Sequence, residues 1–147
     1  SLNFIYILMK KNTKISPKYK PTSKEPFMSP KQKEYFRQKL INWKETLLKE
    51  SNQTMINLKQ DKEVSGDFAD IASAETEKSI ELRTRDRERK LISKINEALK
   101  RIDNNTYGYC EVTGKPISIK RLEARPIATL SIEAQQMHEE REELIKD

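Results

Sequence analysis

The stretch Gly66-Asp67-Phe68-Ala69-Asp70-Ile71-Ala72, followed by Leu82-Arg83-Thr84-Arg85-Asp86-Arg87-Glu88-Arg89-Lys90, decides the fold. A short acidic turn opens a charged helix that meets no Gly or Pro from residue 71 to residue 102. A polar helix of that length is marginal in water without tertiary contacts, so it needs a partner. The partner precedes it. No Gly or Pro interrupts residues 31–65, and Phe36, Leu40, Trp43, Leu47, Thr54 and Leu58 recur at spacings of three, four or their sum, which is one helix face. Ile41, Leu48 and Met55 repeat every seven residues beside it. Roughly 30 residues at 1.5 Å each give a helix about 45 Å long.

Ser29-Pro30 reads as the start of this first helix, with serine as N-cap and proline at the first helical position, where its missing N–H costs nothing. The second helix has an expected seam of Ile80, Thr84, Arg87, Leu91, Ile95, Ala98 and Ile102, which alternates by four and three but is polar in the middle. Asp103-Asn104-Asn105 supplies turn formers at its end. Only residues 64–70 separate the two helices, so they fold back antiparallel. The expected fold is mainly α: a long antiparallel two-helix coiled coil on a small globular domain. Residues 1–28 form a basic, mobile tail, residues 29–105 the coiled coil with an acidic tip at 66–72, and residues 106–147 the small domain and a C-terminal helix.

Within 106–147, Thr113-Gly114-Lys115-Pro116 reads as a hairpin turn and Ile117-Ser118-Ile119 as a short strand. Residues 121–129 read as a loop pinned by Pro126, and Ser131 as the cap of a last helix with Glu133 in its first turn. Candidates for the packing are Tyr107, Tyr109, Ile117, Ile119, Leu122, Leu130, Ile132 and Met137.

The formal charge of +6 suggests nucleic acid until its location is considered. Residues 10–33 hold eight lysines and one acid, whereas residues 34–147 hold 21 basic and 22 acidic side chains. The basic balance therefore describes a tail, not a groove. One cysteine, Cys110, excludes an internal disulfide and suits a reducing cytoplasm. The apolar run from Leu2 to Met9 is too short for a membrane span and lacks the flanks of a signal peptide. It is expected to be upstream sequence without a function of its own.

Several constellations could carry chemistry. Asp67 and Asp70 place two carboxylates at the turn, where capping alone would explain them, although Phe68 between them has no core to enter. Arg83, Arg85, Arg87 and Arg89 step by two, so on a helix they spread around the surface and do not form a phosphate-binding stripe. Cys110, Thr113, Ser131 and Ala134 have the spacing of a four-cysteine zinc site, C-x2-C-x17-C-x2-C, with three sulfurs missing. Hydroxyls and a methyl group cannot replace the thiolates or imidazoles that structural zinc takes, and His138 leaves the ligand count short. No phosphate loop, Ser/His/Asp set or Cys/His pair emerges, so the chain is not expected to be an enzyme.

Three motifs in order, Leu82-Arg83-x-Arg85-Asp86-Arg87-Glu88-Arg89-Lys90-Leu91-Ile92, Tyr107-Gly108-Tyr109-Cys110-Glu111 and Arg121-Leu122-Glu123-Ala124-Arg125-Pro126, resemble the DksA family of bacterial RNA-polymerase-binding transcription factors. The resemblance spans residues 29–141. It implies a coiled coil that enters the secondary channel of RNA polymerase, with the Asp-x-x-Asp-x-Ala tip matched by Asp67, Asp70 and Ala72. It implies polymerase contacts from Arg87 and its neighbour Arg83. It implies altered open-complex lifetime in the stringent response, with repression of ribosomal RNA promoters, in concert with guanosine tetraphosphate.

The nucleotide would lie between polymerase and factor, held here by Lys94 and Arg125. A third lysine of the family is replaced by Gln135, which removes one phosphate contact. The zinc ribbon is reduced to Cys110, similar to the family's cysteine-poor branch, so zinc is not expected. The implied protein is a cytoplasmic monomer without sequence-specific DNA binding. Two other readings stand beside this one: a transcript-cleavage factor of the Gre class, whose tip acids would bind a second magnesium, and a basic coiled-coil nucleic-acid binder.

Overall fold

The computed structural model describes residues 14–61 and 68–146. Four helices occur among the described residues: α1 (Pro30–Asp61), α2 (Phe68–Asp103), α3 (Ile119–Ala124) and α4 (Ile132–Lys146). Two compact units divide the chain, one combining the residues up to Leu40 with those from Ala98 onward, the other spanning Ile41–Glu97.

The second unit is the antiparallel pair formed by α1 and α2. Leu47 and Ile95 are its buried apolar anchors, and Trp43 is half-buried. The expected seam of α2 is displaced in its distal half. Ile80 is 56% exposed and Arg87 is exposed, whereas Glu88 is buried and Glu81 and Arg85 are half-buried. The inward face therefore runs through 81, 85, 88, 92 and 95. Glu81, Glu88, Ile95 and Ile102 recur every seven residues, so the inward face keeps a heptad register that passes through polar 81 and 88 in place of 80 and 87.

The first unit surrounds Phe36, Leu40, Ile117 and Leu122, each no more than 1% exposed. Ser29 caps α1, accepting a hydrogen bond from Gln32 N–H. The end of α2 is a Schellman motif. Thr106 N–H donates to Arg101 C=O at 2.8 Å and Asn105 N–H to Ile102 C=O at 3.2 Å, with Asn105 at φ 61°. Asparagine tolerates that left-handed position better than most side chains, so the expected stop at 103–105 is realised with its cause.

After α2 the chain makes a narrow turn. Cys110 N–H donates to Lys115 C=O, Ile117 N–H to Gly108 C=O, and Tyr109 and Pro116 form an isolated antiparallel bridge. The expected strand at 117–119 does not form among the described residues, because Ser118 turns the chain into α3 by accepting from Arg121 N–H at 3.2 Å. The expected loop at 121–129 accordingly begins as a helix, and Leu122 is the buried residue of α3. Ser131 caps α4 through Ala134 N–H at 3.2 Å, as expected.

The basic segment differs from the mobile tail expected for it. Its first 13 residues lie outside those described. From Tyr19 onward it packs on α1 and on the turn after α2. Tyr19 meets Tyr35 edge to face at 6.1 Å, Phe27 meets Tyr109 likewise at 5.3 Å, and Met28 is 8% exposed. Two aromatic side chains, Tyr19 and Phe27, and one methionine supply the apolar area that lysine-rich composition obscures.

Burial opposes ionisation of Tyr35 and its bond to the Glu123 carboxylate adds to this, so the phenol rises to about 12. Burial also pushes Glu123 up, but hydrogen bonds from Tyr35 and Lys39 outweigh it and hold the carboxyl below its ordinary range. Lys39 reaches Glu123 Oε1 at 2.9 Å and its backbone carbonyl at 2.8 Å, tying α1 to α3.

Two outcomes are expected. Phe36→Ala and Leu122→Ala should each destabilise the protein by about 3 kcal/mol, because each opens a fully enclosed cavity; denaturant titration measures this. A depressed folded carboxyl stabilises the protein above the ordinary carboxylate range, and that contribution fades as pH falls through the folded value. Glu123→Gln should therefore flatten the acid limb of stability against pH while lowering stability at neutrality.

Candidate functional site

The acidic stretch 66–72 of the sequence runs into α2, whose described residues begin at Phe68. Asp67 lies outside the described residues. Asp70 belongs to the first turn of α2, and Ala72 is exposed on the second. Further along, Arg83 and Arg87 are exposed, and the Asp86 carboxylate pairs with Lys90 at 3.4 Å along the same helix. At this exposure the pair adds little stability and mainly keeps the surface solvated.

Buried atoms accompany these exposed ones. Glu81 Oε2, Arg85 Nε and Glu88 Oε2 are enclosed without a hydrogen-bond partner among the described residues. The arginine run thus divides by position: Arg83 and Arg87 offer guanidinium groups to the outside, while Arg85 turns inward.

Lys94 is exposed on α2 in the second unit, and Arg125, the C-cap of α3, is exposed in the first. Gln135, half-buried in the first turn of α4, donates to Glu139 Oε1 at 3.1 Å. A neutral amide so engaged offers no charge to an anion.

The four positions with zinc spacing form a cluster of another kind. Cys110 is 2% exposed and Ala134 3%. Burial raises the Cys110 thiol, but hydrogen bonds from the Thr113 side chain and from the backbones and side chain of Ser131 and Thr113 outweigh it, bringing it down to about 6. The Ser131 hydroxyl accepts from Ala134 N–H as the helix cap and is left with its own proton to give to sulfur. Ala134, at the fourth position of the spacing, is buried and carries no donor atom in its side chain.

One cysteine sulfur, two hydroxyls and a methyl group do not fit structural zinc, which takes four sulfur or imidazole donors. His138 offers no replacement, since it lies exposed on α4 with Nε2 3.2 Å from Glu142. Of the eight packing candidates, Tyr107, Ile117 and Leu122 are buried, whereas Tyr109, Ile132 and Met137 are 40–54% exposed. Ile127, Ala128 and Ala134 close the core in their place.

Sequence reasoning missed Gln32, Tyr35 and Lys39, which bind the basic segment and α3 to α1. The signal was weak: Glu123 falls inside the third motif, but its partners are 84 and 88 positions away. Nothing in local spacing announces such pairs.

Comparison with known proteins follows these elements closely. The family model for the DnaK suppressor protein DksA, N-terminal domain, matches residues 32–102, and that for the prokaryotic dksA/traR C4-type zinc finger matches residues 105–140. A protein of Caulobacter vibrioides named RNA polymerase-binding transcription factor DksA is 56% identical over 129 residues, covering 88% of this chain and 91% of its own. The protein of that name from Escherichia coli K12 is 41% identical over 124 residues, covering 84% and 82%. The structure of transcription factor DksA2 from Pseudomonas aeruginosa superposes with a TM-score of 0.77 at 37% identity, covering 84% of this chain and 94% of that one. With both family models matched in order and the paired helices retained, the chain belongs to the DksA family.

Proposed function

We propose that this protein is a non-enzymatic transcription regulator that binds bacterial RNA polymerase directly. Its paired helices enter the secondary channel and alter promoter open-complex stability together with guanosine tetraphosphate. The observation that carries the reading is the match of residues 32–140 to the family, with α1 and α2 retained over 32 and 36 residues. Relatives are named as polymerase-binding transcription factors, not as enzymes.

Asp70 with Asp67 is the effector in this reading, Ala72 completes the tip, and the helices are the positioning device. A carboxylate brought near a magnesium-dependent centre changes the local field without forming a bond. Arg83 and Arg87, exposed on α2, are suited to contact polymerase. Lys94 and Arg125 supply the cations for nucleotide held between factor and polymerase, and Gln135 contributes no charge to it. Zinc takes no part, since the donor set at Cys110, Thr113, Ser131 and Ala134 is wrong for it. A cytoplasmic monomer without sequence-specific DNA contacts accompanies this reading. No described helix is long and apolar enough to cross a membrane.

Single-round transcription from a ribosomal RNA promoter should be repressed by the purified protein with a chelator present, and more deeply with guanosine tetraphosphate. Unchanged output from a folded protein would refute the proposal, and stimulated cleavage of backtracked RNA would favour a Gre-type role. Asp70→Asn should keep polymerase affinity within about threefold, under ~1 kcal/mol, while abolishing repression. Loss of affinity as well would mark Asp70 as a structural cap. Lys94→Ala and Arg125→Ala should each raise the nucleotide concentration needed by about tenfold, the worth of one charged phosphate contact.

A further inference from the structure

The family's finger is described as a C4 zinc module, and this chain lacks three of the four thiolates. A short hairpin is marginal in water, so the turn of residues 108–117, with its single isolated bridge, needs a fastening from elsewhere. The basic segment supplies contacts at that place. Phe27 packs its ring edge to face on Tyr109 at 5.3 Å and 77°. A Cβ at Gly108 would lie 3.0 Å from Phe27 Cζ and 3.1 Å from Met28 Cε, so the backbone of the turn and these two side chains are in direct contact. Gly108 also has φ 89°, a conformation a larger residue resists.

The segment is itself locked. Gln32 is fully buried, and its amide uses both ends. Nε2 donates to Thr22 C=O at 3.1 Å and to Glu25 Oε2 at 3.2 Å, while Oε1 accepts from Met28 N–H at 2.8 Å. Tyr19 adds a hydrogen bond to Glu25 Oε2 at 2.6 Å. These bonds hold residues 19–28 as a strap between α1 and the turn. Met28, at φ 50°, accepts a strained backbone to enter the core.

We propose that this strap is an internal staple that performs the structural task of the missing metal, with Phe27 as its wedge and Gln32 as its latch. A metal fastens a finger by linking its two ends through bonds. Here the turn is clamped from outside by apolar contact, and Cys110 is held by hydrogen bonds from Thr113 and Ser131. The strap is thus a positioning element for the finger, independent of how the protein meets its partner.

Hydrogen exchange on the full chain with chelator present tests this, read at the amides of Cys110, Gly114 and Ile117, each hydrogen-bonded within the turn. Phe27→Ala and Gln32→Leu should speed exchange there by about tenfold or more while Ile95 in the helical pair keeps its protection. Should Phe27→Ala unsettle the helices too, Phe27→Leu, which keeps apolar volume but removes the ring edge, supplies the local reading. In the Phe27→Ala background, T113C, S131C and A134C together restore four thiolates, and added zinc should return the turn to its original protection. Wild-type exchange in the strap variants, or no recovery with zinc, overturns the proposal.

Discussion

The packing of Phe36 against Tyr107 is the contact on which the first unit depends. Their ring centroids lie 5.7 Å apart and neither ring is more than 2% exposed. Phe36 belongs to α1, and Tyr107 follows the Schellman stop of α2. The Tyr107 hydroxyl donates to Pro126 C=O at 2.7 Å, which carries the linkage past α3. One aromatic pair with one buried hydrogen bond therefore joins the start of α1, the end of α2 and the segment that follows α3. Burial makes ionisation of that phenol unfavourable, which keeps its donor proton in place. Large rings with fixed geometry are efficient for such a junction, because they bring much apolar area for few rotamers.

Around this junction the positions with zinc spacing are filled by one cysteine, two hydroxyls and an alanine, a donor set that does not suit structural zinc. Serine at position 131 retains the helix cap that the local backbone needs, since its oxygen takes the Ala134 N–H. Thr113 accepts from Lys115 N–H at 3.3 Å, steadying the turn. Each hydroxyl satisfies a backbone donor and also supports the sulfur of Cys110. Burying a thiolate alone would be costly, but several hydrogen bonds to the charged form reverse the balance. The position is chemically polar and geometrically closed, which is a different solution from four sulfurs around a cation.

How much of this was legible depended on whether the responsible contact was local. Helix starts at Ser29 and Ser131 and the stop at Asn105 follow from side chains acting on their own backbone, and each was readable. The α1 face through Phe36, Leu40 and Leu47 was readable because its residues are apolar. The α2 face was misread at Ile80 and Arg87, since Glu81, Arg85 and Glu88 turn inward and no hydrophobic count marks them. At residues 117–119 alternation suggested a strand, but Ser118 could equally cap a helix, and the side-chain bond to Arg121 N–H decided it. The zinc-like spacing of Cys110, Thr113, Ser131 and Ala134 is visible in the sequence, whereas the hydrogen bonds of Thr113 and Ser131 to Cys110 come from the fold. The strap was not legible, because Gln32 acts on residues 22–28 through tertiary geometry that composition cannot express.

The inward polar residues of α2 set the character of the paired helices. Glu88 is 8% exposed and one of its oxygens has no partner among the described residues, a placement that costs stability relative to a leucine. A pair built for maximum stability would fill that face with aliphatic side chains, as Leu47 and Ile95 do elsewhere in the same unit. Polar groups on a helical seam instead penalise every register in which they meet apolar neighbours. The second unit therefore gives up some cohesion for a defined alignment of α1 against α2. Alignment matters most if Asp70, in the first turn of α2, is the acting group as proposed above. A slip by one heptad would displace that turn by about 10 Å at 1.5 Å per residue, so a costly seam and a precise acidic turn are physically coupled requirements.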